Sequence, residues 1–401
     1  MLKEYFSRAL AAAPGRLHFS AHSHHLWPDC TREAHLRMWE DAAALADRKW
    51  DRVLGEEVPE AQRHIARVLG LSDPGAIALA PTTHELVNRI LSCLEPHWTD
   101  RGAGGAPLSI LTTDAEFHSF NRQSRRLEDA GLAAVERIAD EPFESFPERF
   151  GAAARRGGHH LVYLSQVFFS SGYAVPDLDA LVGAVPDPAT WVVIDGYHGF
   201  MALPTVLSAI ERRAFYTGGG YKYAMSGEGI CYLHCPPGWG ERPVDTGWFG
   251  VFGELEEGVA DGRLPYSTDG FRFWGATFAH AGLYRFNAVQ RWLEGLGIGV
   301  AEIHTHVRGL QERFLERLAE GRAGGLAATE LMPPAGEAGD RAGGRGHFLT
   351  FRRPDAGDLR RRLEERGVIV DHRDDRLRIG FGVYHDEADV ERLCSELSAF
   401  G

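Results

Sequence analysis

The reading of the fold turns on Ala214-Phe215-Tyr216-Thr217-Gly218-Gly219-Gly220-Tyr221-Lys222-Tyr223-Ala224-Met225-Ser226-Gly227-Glu228-Gly229-Ile230-Cys231-Tyr232-Leu233-His234. Two short apolar runs flank a glycine-dense turn, and a lysine sits between two tyrosines at its centre. Arginine is abundant in this chain, yet only three lysines occur, Lys3, Lys49 and Lys222. A lysine between tyrosines, with buried strands on either side, is poorly placed to serve solubility. Burial in a pocket lowers an ammonium pKa and leaves amine free to attack a carbonyl carbon. The plainer alternative is a loop lysine that lays its stem on apolar surface and keeps its charge in water.

Outward from this stretch, short apolar runs recur at Ala76–Ala80, Leu108–Leu111, Leu161–Leu164 and Trp191–Ile194. Between them lie stretches with helical character: Thr31 to about Val53, Glu57 to Leu69, the segment from Pro81, a charged stretch after Phe117-His118-Ser119-Phe120, and Asp177 to Val182. The linker Arg101-Gly102-Ala103-Gly104-Gly105 separates two of these blocks. Apolar strands alternating with helices predict an α/β unit built on a mostly parallel sheet, with functional residues at the strand C-termini. After about Ala279 the pattern becomes helical as far as Ala319, broken near Gly295-Leu296-Gly297. Residues 321–346 read as loop. A smaller α/β unit follows, from His347 through helix Asp358–Glu365 to Phe381, with a last helix from about Glu387 to Phe400.

Composition narrows the function classes. A chain of 401 residues with 44% hydrophobic content has room for two or three structural units. The net charge of −13 argues against a nucleic-acid surface. The chain lacks an apolar run of the roughly 18 residues needed to cross a bilayer. Met1-Leu2-Lys3-Glu4-Tyr5-Phe6 lacks a secretory pattern, so the expected location is cytoplasmic. Five cysteines, with Cys231 and Cys235 four apart, do not form a metal-finger spacing, and no metal site is expected. The turn His22-Ser23-His24-His25 admits three readings: metal ligands, an active-site rim with His22 on substrate, or plain surface polarity.

Three further positions join Lys222. Thr82 and Thr83 open a helix after an apolar run, where unpaired backbone N–H groups make a phosphate seat. Asp195 directly follows the strand Trp191–Ile194. A lysine, a phosphate seat, a strand-end carboxylate and an aromatic ring are what a pyridoxal phosphate enzyme needs: the lysine joins the cofactor aldehyde, and the carboxylate keeps the pyridine nitrogen protonated. The chain also resembles the fold-type I pyridoxal phosphate enzymes of the class V aminotransferase group, and within it kynureninase. The likeness runs from about Ala76 to the C-terminus, and its most specific piece is Tyr221-Lys222-Tyr223 followed by Ser226-Gly227-Glu228-Gly229.

The resemblance implies a large cofactor-binding domain with a seven-stranded, mostly parallel sheet sandwiched by helices, and a smaller C-terminal α/β domain. It divides the chain into an N-terminal segment (1–53) packing on both domains, the large domain (54–283), and a helical linker with the small domain (284–401). It makes Lys222 the Schiff-base lysine, Tyr221 a phosphate ligand, Asp195 the partner of the pyridine nitrogen and His198 a neighbour of the cofactor's O3′ side. Thr82 and Thr83 fall in the phosphate-binding helix start, Phe117 at the ring-stacking position, and Trp248 in a loop reaching a phosphate across a homodimer. Arg378, in Leu377-Arg378-Ile379, falls where the family grips the α-carboxylate of its amino-acid substrate.

The implied reaction is hydrolytic cleavage of the Cβ–Cγ bond of a kynurenine-type amino acid to an aryl acid and alanine. An aminotransferase, another amino-acid lyase of the same fold, and a non-catalytic scaffold are the alternatives. A desulfurase would need a cysteine on a small-domain loop, and none lies between Cys235 and Cys394. Three departures put the aryl-ketone pocket in question more than cofactor binding. The family's asparagine-serine-leucine-glycine run is replaced at His22–Leu26. His118, Ser119 and Phe120 follow Phe117, so the second acidic contact near the pyridine nitrogen is expected to be missing. Gly275-Ala276-Thr277-Phe278 replaces a glycine-threonine-proline loop.

Overall fold

The computed structural model describes residues 2–94, 106–251, 264–334 and 344–400. The linker expected at Arg101–Gly105 and part of the loop expected over 321–346 lie outside the described residues. Thirteen strands are named in chain order among those described: β1 (Leu17–His18), β2 (Ile77–Ala80), β3 (Leu108–Thr113), β4 (Ala133–Ile138), β5 (Leu161–Ser165), β6 (Trp191–Asp195), β7 (Phe215–Gly219), β8 (Cys231–His234), β9 (Leu331–Met332), β10 (Phe348–Arg352), β11 (Val368–Ile369), β12 (Asp371–Arg373) and β13 (Arg376–Gly380).

Seven of them form one sheet in the order β2-β8-β7-β6-β5-β3-β4. Only β8 runs against the others, antiparallel to both β7 and β2. Strands β3, β5, β6, β7 and β8 are apolar almost throughout and buried, as a sheet covered by helices on both faces requires. Each fully buried Val, Leu, Ile or Phe in it contributes about 1.5–3 kcal/mol before conformational entropy is counted. The glycines after β7 answer to close packing. A Cβ on Gly219 would lie 2.6 Å from Cys231 Sγ, and one on Gly220 would lie 2.5 Å from Ile230 Cγ2. The turn can therefore fold tightly over β8 and bring Lys222 back to the ends of the parallel strands.

The smaller unit is a four-stranded antiparallel sheet, β12-β13-β10-β9, packed by helices Val300–Ala319, Ala356–Glu365 and Glu387–Ser398. It has its own apolar core, including Leu349, Phe351, Leu377 and Leu397. The N-terminal segment docks on it: β1 pairs in parallel with β11, Ser20 bridges to Gly380, and Leu17 and Phe19 enter its core. The same segment then touches the large unit, where the His25 N–H donates to the Tyr221 carbonyl at 3.0 Å.

Two expectations need correction. The helix expected from Thr31 to about Val53 is Cys30–Leu45, and it stops because Ala46 takes φ +50°. The charged helical stretch after Phe120 ends at Asp129. Gly131, at φ +64°, then turns the chain into β4, an edge strand whose polar outer positions disguise it. No helix among the described residues is long and apolar enough to cross a membrane.

Candidate functional site

Register places the first groups. Ser165 and Asp195 are aligned at the C-terminal ends of β5 and β6, and Thr217, midway along β7, is the next neighbour across the sheet. The turn after β7 carries Lys222, and the helix Thr83–Cys93 starts just after β2. A cleft opens between these ends, with Thr83, Phe117, Ser165, Asp195, Tyr197 and Lys222 among its lining residues. A second hollow shares Thr83, Phe117 and Asp195 with it and extends toward His84 and Gln123.

Lys222 is buried, and its Nζ lies 2.6 Å from His198 Nε2. Burial pushes its pKa down to about 7; the Asp195 carboxylate opposes that shift and the Arg378 guanidinium adds to it. Near neutrality a large share of the amine is therefore unprotonated. Burial first, and then the charges of Lys222 and Arg378, hold His198 well below the usual imidazole range. Its Nδ1 is buried without a hydrogen-bond partner among the described residues. The Lys222 amine sits between two rings, 4.9 Å from the centroid of Tyr197 and 5.6 Å from that of Phe117.

Asp195 accepts from the Tyr163 hydroxyl at 3.0 Å and from the Tyr197 N–H at 2.9 Å. Burial raises its pKa, and those hydrogen bonds and the Lys222 charge restrain the rise. One carboxylate went unread in the sequence. Glu116, fully buried, accepts from the hydroxyls of Thr113 at 2.7 Å and Ser165, and burial pushes its pKa up to about 7. Glu116 stands one residue before Phe117 and is joined to the cleft through Ser165, while none of His118, Ser119 and Phe120 after Phe117 is acidic. Its signal in the sequence is an acidic residue three positions past the end of β3.

The other expected residues fall in different places. Thr83 lines the cleft, while Thr82 caps the helix by accepting from the Glu85 N–H at 3.2 Å. Tyr221 lines the cleft and stacks on His24 with centroids 5.1 Å apart. Trp248 is exposed outside the cleft, donating its indole N–H to Thr277 Oγ1 at 3.1 Å and stacked on Phe249. Arg378, on β13, is buried; it pairs with Asp371 and donates to the Phe169 carbonyl at 2.5 Å, beside the cleft. His22 is fully buried, stacked on Phe348 at 4.6 Å. It fits there because Gly380 has no Cβ, which would lie 3.0 Å from the His22 Cγ. Among the described residues no group of three or more His, Cys, Asp or Glu is arranged to hold a metal ion.

These groups fit pyridoxal phosphate on chemical grounds. The site has an amine kept partly neutral for an aldehyde, a buried carboxylate for a pyridinium, a buried imidazole nitrogen still lacking a partner, an aromatic ring at the mouth and a helix N-terminus for a phosphate.

No protein-family model matches the chain. Two curated relatives are similar along most of their length. The isopenicillin N epimerase of Streptomyces clavuligerus is 29% identical over 400 residues, spanning 92% of this chain and 91% of its own. That of Amycolatopsis lactamdurans is 27% identical over 355 residues, spanning 84% and 83%. Among solved structures, the apo cysteine desulfurase of Thermococcus onnurineus NA1 superposes with a TM-score of 0.77 at 18% identity, covering 96% of this chain and 94% of that one. The cystine C–S lyase C-DES, in complex with cysteine persulfide, gives 0.78 at 16% identity, covering 98% and 100%. With this cleft, and with the fold that these structures share, the chain is a pyridoxal-phosphate-dependent enzyme.

Proposed function

We propose that this enzyme removes the α-proton of an amino acid with Lys222 and then breaks a bond to Cβ or beyond, a lyase-type reaction. The observation that carries the reading is the buried Lys222 amine, 2.6 Å from His198 Nε2 with its pKa near 7, in a cleft closed by the Asp195 carboxylate. When bound, pyridoxal phosphate supplies the electron sink that makes an α-proton removable. Lys222 holds and moves that proton, since a base with pKa near the working pH transfers protons efficiently in both directions. His198 orients the amine through its Nε2. Asp195, whose burial-driven rise in pKa the Tyr163 hydroxyl and the Tyr197 N–H restrain, holds a cation on the sheet side of the cleft. Arg378 orients the substrate through its α-carboxylate, a charge-assisted contact that also excludes amines lacking the acid group. Thr83 and Tyr221 belong to the phosphate end in this reading.

Hydrolysis of a kynurenine-type substrate is the narrower form of the proposal, supported by Tyr221-Lys222-Tyr223 and the glycine-rich run after it. Epimerisation at Cα is a second reading, supported by the two epimerase relatives, and it needs the same proton removal with return to the other face. A desulfurase that uses its own thiol has less support. Burial pushes Cys231 and Cys235 up to about 12 and Cys394 up to about 11, and the chain has no cysteine between Cys235 and Cys394. The proposal includes the division at residues 53 and 283 and a homodimer. For the latter, the support is the exposed apolar side chains Val244, Trp248 and Leu264, the last held to the 242–244 loop where Arg242 donates to its carbonyl at 2.8 Å.

The test is incubation of the loaded enzyme in D2O with kynurenine, cystine and a panel of common L-amino acids, followed by mass spectrometry. Deuterium at Cα is expected in at least one of them, and the products then separate cleavage, epimerisation and keto-acid-dependent amine transfer. Absence of α-exchange across the whole panel would sink the proposal.

A further inference from the structure

Arg378, assigned above to the substrate's α-carboxylate, already holds a carboxylate of its own chain. Asp371 and Arg378 are direct partners across the β12–β13 pair, and Arg378 Nη2 donates to Asp371 Oδ2. Arg378 Nη1 donates to the Phe169 carbonyl, and Nε is buried without a partner among the described residues. A two-pronged grip on an incoming carboxylate needs two adjacent N–H groups on one edge of the guanidinium. The Nε–Nη2 edge offers them, and Asp371, already on Nη2, competes with the incoming carboxylate there.

Asp371 has somewhere to go. Its other oxygen accepts from Arg373 Nη1 at 2.7 Å, which also donates to the His372 carbonyl at 2.7 Å, and the Arg373 side chain is 40% exposed. On the Oδ2 side, His22 Nε2 stands 3.7 Å away, just beyond hydrogen-bond range. Neither ring nitrogen of His22 has a partner among the described residues, and the ring is clamped between Phe348 and Gly380. A shift of roughly 0.5–1 Å would give the buried imidazole its missing hydrogen bond.

We infer that Asp371 is a gate carboxylate: it occupies Arg378 while no amino acid is bound, and passes to His22 and Arg373 when a substrate carboxylate arrives. The inference rests on the reading of Arg378 as the carboxylate grip. It has a physical motive, because a buried guanidinium left unpaired is costly, and Asp371 removes that cost from the empty site. The consequence is competition. A ligand competes with Asp371 for Arg378, so affinity is lower than the bare guanidinium would give. An ion pair that merely orients Arg378 would act in the opposite direction, and the two differ in sign.

The experiment is calorimetric titration of the loaded enzyme with propionate, which has the acid group but no amine to react. Asp371→Asn keeps the shape and removes the charge, and propionate should bind about tenfold tighter. Unchanged or weaker binding in Asp371→Asn overturns the gate. Asp371→Ser carries the same expectation should the asparagine variant lose its fold. Arg378→Ala separates the two levels. If it abolishes propionate binding while Asp371→Asn fails to tighten it, the grip stands and the gate falls. If Arg378→Ala binds propionate as the parent does, both fall.

Discussion

The two walls of the cleft set their chemistry in opposite ways. On the sheet wall, Lys222, His198, Asp195 and Glu116 are buried with few full counter-charges, and burial dominates every one of their pKa shifts. Two of them, Lys222 and Glu116, are brought to about 7, where they can trade protons near neutrality. On the small-unit wall, Arg378, Asp371 and Arg373 neutralise one another in a row of ion pairs. There the charges stay charged, and what they provide is geometry. Reactivity belongs to the wall where charge is suppressed, and recognition to the wall where charge is kept and paired.

The sharpest way to break this contrast is Lys222→Ala. If the sheet wall owns the proton transfer, turnover falls by about 10³–10⁴ and the visible cofactor band changes, while propionate affinity barely moves. Retained turnover would remove the distinction between the walls. A smaller effect concerns pH. Lys222 is a base whose pKa falls on folding, from 10.5 to about 7, so its free-amine fraction drops about tenfold per pH unit below 7. Capture of pyridoxal phosphate by apo-enzyme, followed by stopped-flow absorbance, should slow accordingly as pH falls and level off above 7. The same shift makes the folded apo-protein bind fewer protons than the unfolded chain between about pH 7 and 10.5, so this group's contribution to stability rises with pH across that window. A capture rate that keeps rising about tenfold per unit from pH 7 to 10 would show that burial does not set the amine.

The smallest effect should be confined to the recognition wall. Gly380→Ala drives a methyl group into His22, at a cost of about 1–3 kcal/mol in stability measured by urea unfolding, and the cofactor band should survive. Loss of that band instead would mean that His22 supports the sheet wall as well.

Much of the sheet wall was legible in advance because its signals are local. Apolar runs mark the strands, Asp195 ends one of them, and the three glycines before Tyr221 announce a tight return. Glu116 escaped because its role comes from Ser165 on the next strand, 49 residues on, and not from its own neighbours. The strand Ala133–Ile138 escaped because an edge strand carries polar residues that read as a helix surface. The small-unit wall was legible only as single letters: Arg378 through a resemblance, His22 as a member of an ambiguous histidine turn.

The order of residues alone determined that the chain has a parallel α/β unit, that its one centrally placed lysine lies in a strand-end turn, and that a carboxylate precedes it at another strand end. These follow from hydrophobic periodicity and from which residues permit tight turns, both properties of short segments. Only the folded arrangement decided that His22 comes to lie against Gly380 and near Asp371, and that Arg378 lies beside the cleft, on the Phe169 carbonyl, with a carboxylate already on it. Those contacts join parts of the chain up to about 350 residues apart in sequence, and a pairing of that kind is set by packing and burial across the whole molecule, which no short window of sequence contains.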